Sequence, residues 1–151
     1  MGSLTYIEKS WFGRVLHDVV YTYADVTVFS LPMLLYVWVT QPFVDRALTA
    51  PALVTWITMV GVATLIRGGW IRPLGTETLG WVSGRYALLP VRVAYYNLTL
   101  IVAVFGGLAV EGLVGRTGLA VAWATCVGIG ATLVFPTVVD ITYHRFAQWR
   151  R

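Results

Sequence analysis

Residues 117–139 read TGLAVAWATCVGIGATLVFPTVV, twenty-three positions without a formal charge. A helix of that length extends about 34 Å, enough to cross the ~30 Å hydrocarbon core of a bilayer. The apolar residues run on without alternation, so the stretch does not read as a strand of a membrane barrel. Three more charge-free runs occupy 26–44, 47–66 and 93–110, and no stretch remains for a fifth. The fold class expected is all-α: a polytopic membrane bundle of four transmembrane helices forming a single integral-membrane domain over 1–151. Its spans lie at about 19–44, 47–66, 86–110 and 117–143, with an interfacial cytoplasmic loop at 67–85.

Composition agrees. The 151 residues are 58% hydrophobic and 12% charged, with a mean hydropathy of +0.73. Soluble domains carry about 25% charged residues, so half the charge needed for a watery surface is missing. Seven Trp, eight Tyr and six Phe exclude a disordered chain. Eleven Lys+Arg against seven Asp+Glu is too small and too scattered an excess for a nucleic-acid face. The single cysteine, Cys126, lies in an apolar run and permits no intrachain disulfide. No cleavable signal pattern follows the N-terminus, and Tyr6 breaks the myristoylation pattern, so the first span is expected to be retained.

The basic residues set an orientation. With a cytoplasmic N-terminus, Lys9, Arg14, Arg67, Arg72, Arg85, Arg92, Arg145, Arg150 and Arg151 lie inside, and only Arg46 and Arg116 lie outside. That bias places both termini in the cytoplasm of a cell-membrane protein. Trp11, Phe12, Trp70, Trp81, Tyr143 and Trp149 gather on the same side as anchors. The outer turns, Asp45–Arg46 and Glu111–Arg116, are short. Residues 4–18 suit an interfacial helix leading into the first span. The 67–85 loop suits either a surface-lying segment or a flexible connection with aromatic anchors.

Aligned by depth, Asp25 precedes the charge-free part of span 1, Arg92 that of span 3, and Asp140 follows that of span 4. Seven residues nearer the cytoplasm, about 10 Å along a helix, stand Asp18 and Arg85. The expected pairs are Asp18 with Arg85 and Asp25 with Arg92, with His144 one turn beyond Asp140 facing the same region. Charges in membrane spans face the bundle interior and pair. This layer reads either as a clamp that fixes helix register or as an ion or proton path.

Among the uncharged polar residues, Asn97 and several threonines can bond a neighbouring helix. Asn97-Leu98-Thr99 matches a glycosylation sequon but lies inside a span. Ala120, Ala124, Gly128 and Thr132 form a small-residue packing stripe, suited to an intrachain neighbour or to an oligomer seam. Pro32 and Pro136 should kink their helices.

No catalytic or metal motif is found, and no cofactor is expected. His17 and His144 are the one pair that would admit a b-type haem; the plainer reading is two interfacial histidines without a ligand. The function expected is that of a non-catalytic subunit, or an assembly or stabilising component, of a membrane complex. The alternative is a homo-oligomeric ion channel or proton-coupled transporter built on the charge layer, and a third is a haem-binding membrane subunit. The partners expected are the lipid bilayer and either further copies or a second membrane subunit.

Overall fold

A backbone surrounded by apolar side chains must satisfy its own N–H and C=O groups, and a helix does so within one segment. The computed structural model describes residues 11–43, 48–75 and 88–149. Four helices account for nearly all of them: α1 (Trp11–Thr40), α2 (Thr49–Arg67), α3 (Leu89–Val114) and α4 (Thr117–Trp149). All four are long and apolar enough to cross a membrane. Among the described residues there is no strand.

Local chemistry sets the helix ends. Pro42 has no N–H to continue α1, and the chain tightens into a 3-10 turn over Gln41–Phe43. Gln41 Oε1 then accepts from the Thr49 N–H (3.0 Å) and hydroxyl (2.8 Å), satisfying a donor that α2 leaves open at its start. At the far end of α2, Trp70 N–H donates to Leu65 O (2.9 Å) and Gly69 N–H to Ile66 O (3.1 Å). This Schellman arrangement needs a left-handed residue, and Gly69 supplies it at φ +75°. Pro90 sits in the first turn of α3, where its missing N–H costs nothing.

Helix α1 runs unbroken from Trp11 through residues read as an interfacial lead-in and as the first apolar run. Glu111, read as a turn residue, is still helical: α3 continues to Val114 and stops at Gly115, whose N–H returns to Glu111 O (2.7 Å).

Contacts fix directions and order. Asp18 meets Arg67, so α1 and α2 are antiparallel. Asp25 meets Arg92 and Phe29 meets Asn97, so α3 runs with α1. Tyr95 bonds Ala131, and Trp123 bonds Val102, so α4 opposes α3. The order around the bundle is α1, α2, α4, α3, with α1 and α4 on a diagonal. One end of the bundle, the terminal end, thus gathers the starts of α1 and α3 and the finishes of α2 and α4.

Two buried clusters fill the interior. Val26, Met59, Tyr96, Phe135 and Val139 pack toward the terminal end. Met33, Val37, Ala52, Leu100 and Val104 pack toward the other. Outward faces stay apolar, with Val28, Leu35, Trp38, Ile57, Leu98 and Ile141 all exposed.

The helices are joined in two ways. α4 lies close against α2 and α3 through small residues. A Cβ on Gly128 would stand 3.1 Å from Thr58 Cβ and 3.2 Å from Thr55 O, and Gly107 faces the backbone of Ala120. Ala120, Ala124, Gly128 and Thr132 are all buried, so the packing stripe is covered within the chain. Gly106 leaves room for the Trp123 indole, whose Nε1 donates to Val102 O (3.1 Å). α1 adds polar contacts to its buried Val26, Met33 and Val37: Asp18 with Arg67, Asp25 with Arg92, and two backbone bonds to Asn97.

The first part of the 67–85 loop folds onto the bundle. Leu74 N–H donates to Leu133 O (3.0 Å), and the Thr137 hydroxyl donates to Leu74 O. Gly75 follows at φ +81°, where a Cβ would come within 3.1 Å of Thr137 Oγ1. Gly75→Ala is expected to cost about 1–2 kcal/mol from the left-handed backbone alone, read as a lower melting temperature in detergent. The remainder of the loop, including Trp81 and Arg85, lies outside the described residues.

Candidate functional site: a charged layer at the terminal end

Asp25 projects from α1 three residues after Thr22, on the side facing α3. Arg92 opens the second turn of α3 at the same level. Arg92 Nη1 donates to Asp25 Oδ1 at 3.2 Å, with the side chains only 5% and 12% exposed. The Arg92 guanidinium also lies 6.0 Å above the ring of Phe29. Pairing at this depth is required, because a lone charge excluded from water is costly.

Asp18 is held by α2. Arg67 Nε donates to Asp18 Oδ1 at 3.1 Å, and the guanidinium stacks 3.9 Å over the ring of Tyr21. The sequence reading gave Asp18 to Arg85, which lies outside the described residues. Arg67 reads in the sequence as the first residue of a loop, which hides it as a partner. The available signal was direction: α2 returns antiparallel to α1, so its last residue arrives level with the start of α1.

Asp140, on α4, is half-buried at the same end of the bundle. The side chain of His144 lies outside the described residues. His17 is 54% exposed, stacks on Tyr21 and stands 3.7 Å from Asp18. It sits on α1, diagonal to the helix that carries His144. Among the described residues no group of three His, Cys, Asp or Glu is placed to hold a metal ion.

Asn97 does more than the sequence reading assigned to it. Its Oδ1 accepts from Met33 N–H (2.8 Å) and its Nδ2 donates to Phe29 O (2.7 Å). Those two backbone groups are an i, i−4 pair of α1, and Pro32 stands between them. The carboxamide of α3 is thereby inserted at the proline break of α1. The break at Pro136 is filled in the same register. The acceptor is again three residues before the proline, Leu133 O, and the donor is again one after it, the Thr137 hydroxyl. Here the inserted amide is the main chain of Leu74. Kink carbonyls in apolar surroundings need such partners.

Asn97→Leu is expected to destabilise the bundle by about 1–2 kcal/mol, near the upper range for interhelical hydrogen bonds in membranes. Asn97→Asp, which lacks the Nδ2 donor, should be no better tolerated. Thermal unfolding in detergent reads both.

The geometry defines a class: a small helical bundle whose four long helices suit a membrane and which carries two ion pairs between helices, Asp18–Arg67 and Asp25–Arg92. The chain belongs to the family described as a domain of unknown function, DUF8215, whose profile matches residues 9–142. Neither a curated protein nor a solved structure matches it.

Proposed function

We propose that this chain is an integral protein of the cell membrane, crossing it four times with both termini in the cytoplasm. In this reading it serves as a non-catalytic component that assembles or stabilises a larger membrane complex. One observation carries it: the described interior cations are spent on carboxylates of another helix, Arg67 on Asp18 and Arg92 on Asp25. Such pairs hold α1 in register with α2 and α3. Lipid is as apolar as the helix faces, so burial alone gives helices little reason to associate there. The orientation is supported by the nine-to-two distribution of basic residues and by the exposed Trp11 and Trp70 at the basic end.

Purification from native membranes in mild detergent, followed by native mass spectrometry, tests the role. A second polypeptide at fixed stoichiometry is expected. A chain recovered only as itself would count against the accessory role.

A second reading, a homo-oligomeric channel or proton-coupled carrier, is favoured by a different feature. Thr22 and Ser30 bury hydroxyls without a hydrogen-bond partner on the inner side of α1, bracketing Asp25 in the chain. A polar line inside an apolar bundle is what a hydrated path would use. Liposomes separate the readings: Asp25→Asn should abolish flux in a conductor, whereas wild-type flux equal to that of empty vesicles removes this alternative.

A further inference from the structure

We propose that the cavity at the terminal end of α1 and α2 binds a phosphate group, that of an anionic phospholipid headgroup. The cavity holds about 250 Å³ and is lined by Trp11, Arg14, Asp18, Thr64, Arg67 and Trp70, among others. Two guanidiniums face it with donors to spare. Arg14 is exposed and has no ion-pair partner among the described residues. Among the described residues Arg67 makes one hydrogen bond, from its Nε to Asp18, so the carboxylate fixes the fork and both terminal nitrogens have no partner among those residues. Asp18 balances one cation, which leaves the lining with one net positive charge to match a phosphodiester.

The walls favour an amphiphile over a soluble anion. Trp11 and Trp70 lie parallel, 6.2 Å apart with 6° between their planes, and both are more than half exposed. Tryptophan takes that position at the headgroup level of a bilayer. The placement of Trp70 is built in: the turn that ends α2 at Gly69 delivers it against Trp11. Basic groups beside an anionic leaflet attract its lipids, and Arg presents paired donors to phosphate oxygens.

The lipid assignment rests on the membrane reading above, so two measurements run together. In the first, an alkaline carbonate wash of native membranes releases the chain only if the membrane reading is wrong. In the second, purified protein meets equimolar phosphatidylglycerol and phosphatidylcholine, and retained lipid is read by native mass spectrometry. Phosphatidylglycerol is expected to be retained about tenfold better, and Arg14→Gln should bring that ratio close to one with an unchanged melting temperature. Equal retention by the wild-type protein, or an unaltered ratio in Arg14→Gln, overturns the proposal. Inorganic phosphate at millimolar concentration is the competitor. Phosphatidylglycerol that stays bound upholds a lipid site; its displacement assigns the pocket to soluble phosphate and overturns the lipid.

Discussion

Arg92→Gln is expected to destabilise the bundle by about 3–5 kcal/mol, the usual cost of leaving one member of a buried ion pair alone. The reason lies in what remains. Asp25 is only 12% exposed, and Arg92 Nη1 is the donor that meets its Oδ1. Asp25→Asn should cost less on the carboxylate side but leaves the guanidinium, 5% exposed, without its counter-charge. The double variant Asp25→Asn/Arg92→Gln is therefore the informative one. It replaces an ion pair by two neutral amides able to bond each other, and should recover a large part of the single-variant loss. Unfolding by graded denaturing detergent gives the three free energies of the cycle. Strict additivity would mean that the pair contributes nothing as a pair, and the clamp would lose its physical basis.

Gly128→Leu is the second large effect, of about 1–3 kcal/mol or somewhat more for overpacking a filled interior. The first added atom already meets Thr58 Cβ at 3.1 Å and Thr55 O at 3.2 Å, and the latter is backbone. Helices α2 and α4 would have to separate. Separation also loosens the Thr55 hydroxyl, which donates to Pro51 O and lies 3.3 Å from Ala124 O. Gly118→Leu is the control, since nothing stands within 4 Å of the position where its Cβ would be. A melting temperature lowered by Gly128→Leu and left alone by Gly118→Leu is the expected outcome.

The amino-acid sequence makes some of this arrangement readable and hides the rest for physical reasons. Charge-free runs reveal four helices because a missing charge is a property of the segment itself. Asp25 and Arg92 have depths that can be counted from the ends of those runs, so the layer they share can be reached without coordinates. The cation beside Asp18 is not reached this way, since Arg67 lies where helix gives way to loop and counting from charge-free residues assigns it to the loop. Asn97 is harder still. Its depth is plain, but which backbone atoms it meets depends on rotation of α3 about its axis, and apolar residues all around that helix leave the rotation unmarked. The docking of Leu74 on α4 carries little signal in side-chain type, because Leu74 makes both of its bonds through its main chain and only the Thr137 hydroxyl contributes a side chain.

The two proline breaks differ in when they can close during synthesis. Leu74 is made before α4, so the amide for Pro136 is waiting when that helix appears. Pro32 has the opposite order. Met33 waits for Asn97, 64 residues later, and Asp25 waits for Arg92, 67 residues later. At ribosomal rates of about 5–20 residues per second, that delay lasts roughly 3–13 seconds. In a membrane setting, α1 enters with a carboxylate whose insertion cost, about 2.5–3.5 kcal/mol for a charge at the centre of a span and less near its end, is not offset until α3 arrives. In that setting the first helix would be a provisional guest of the bilayer, held at Asp18 by the second helix and at Asp25 only with the third.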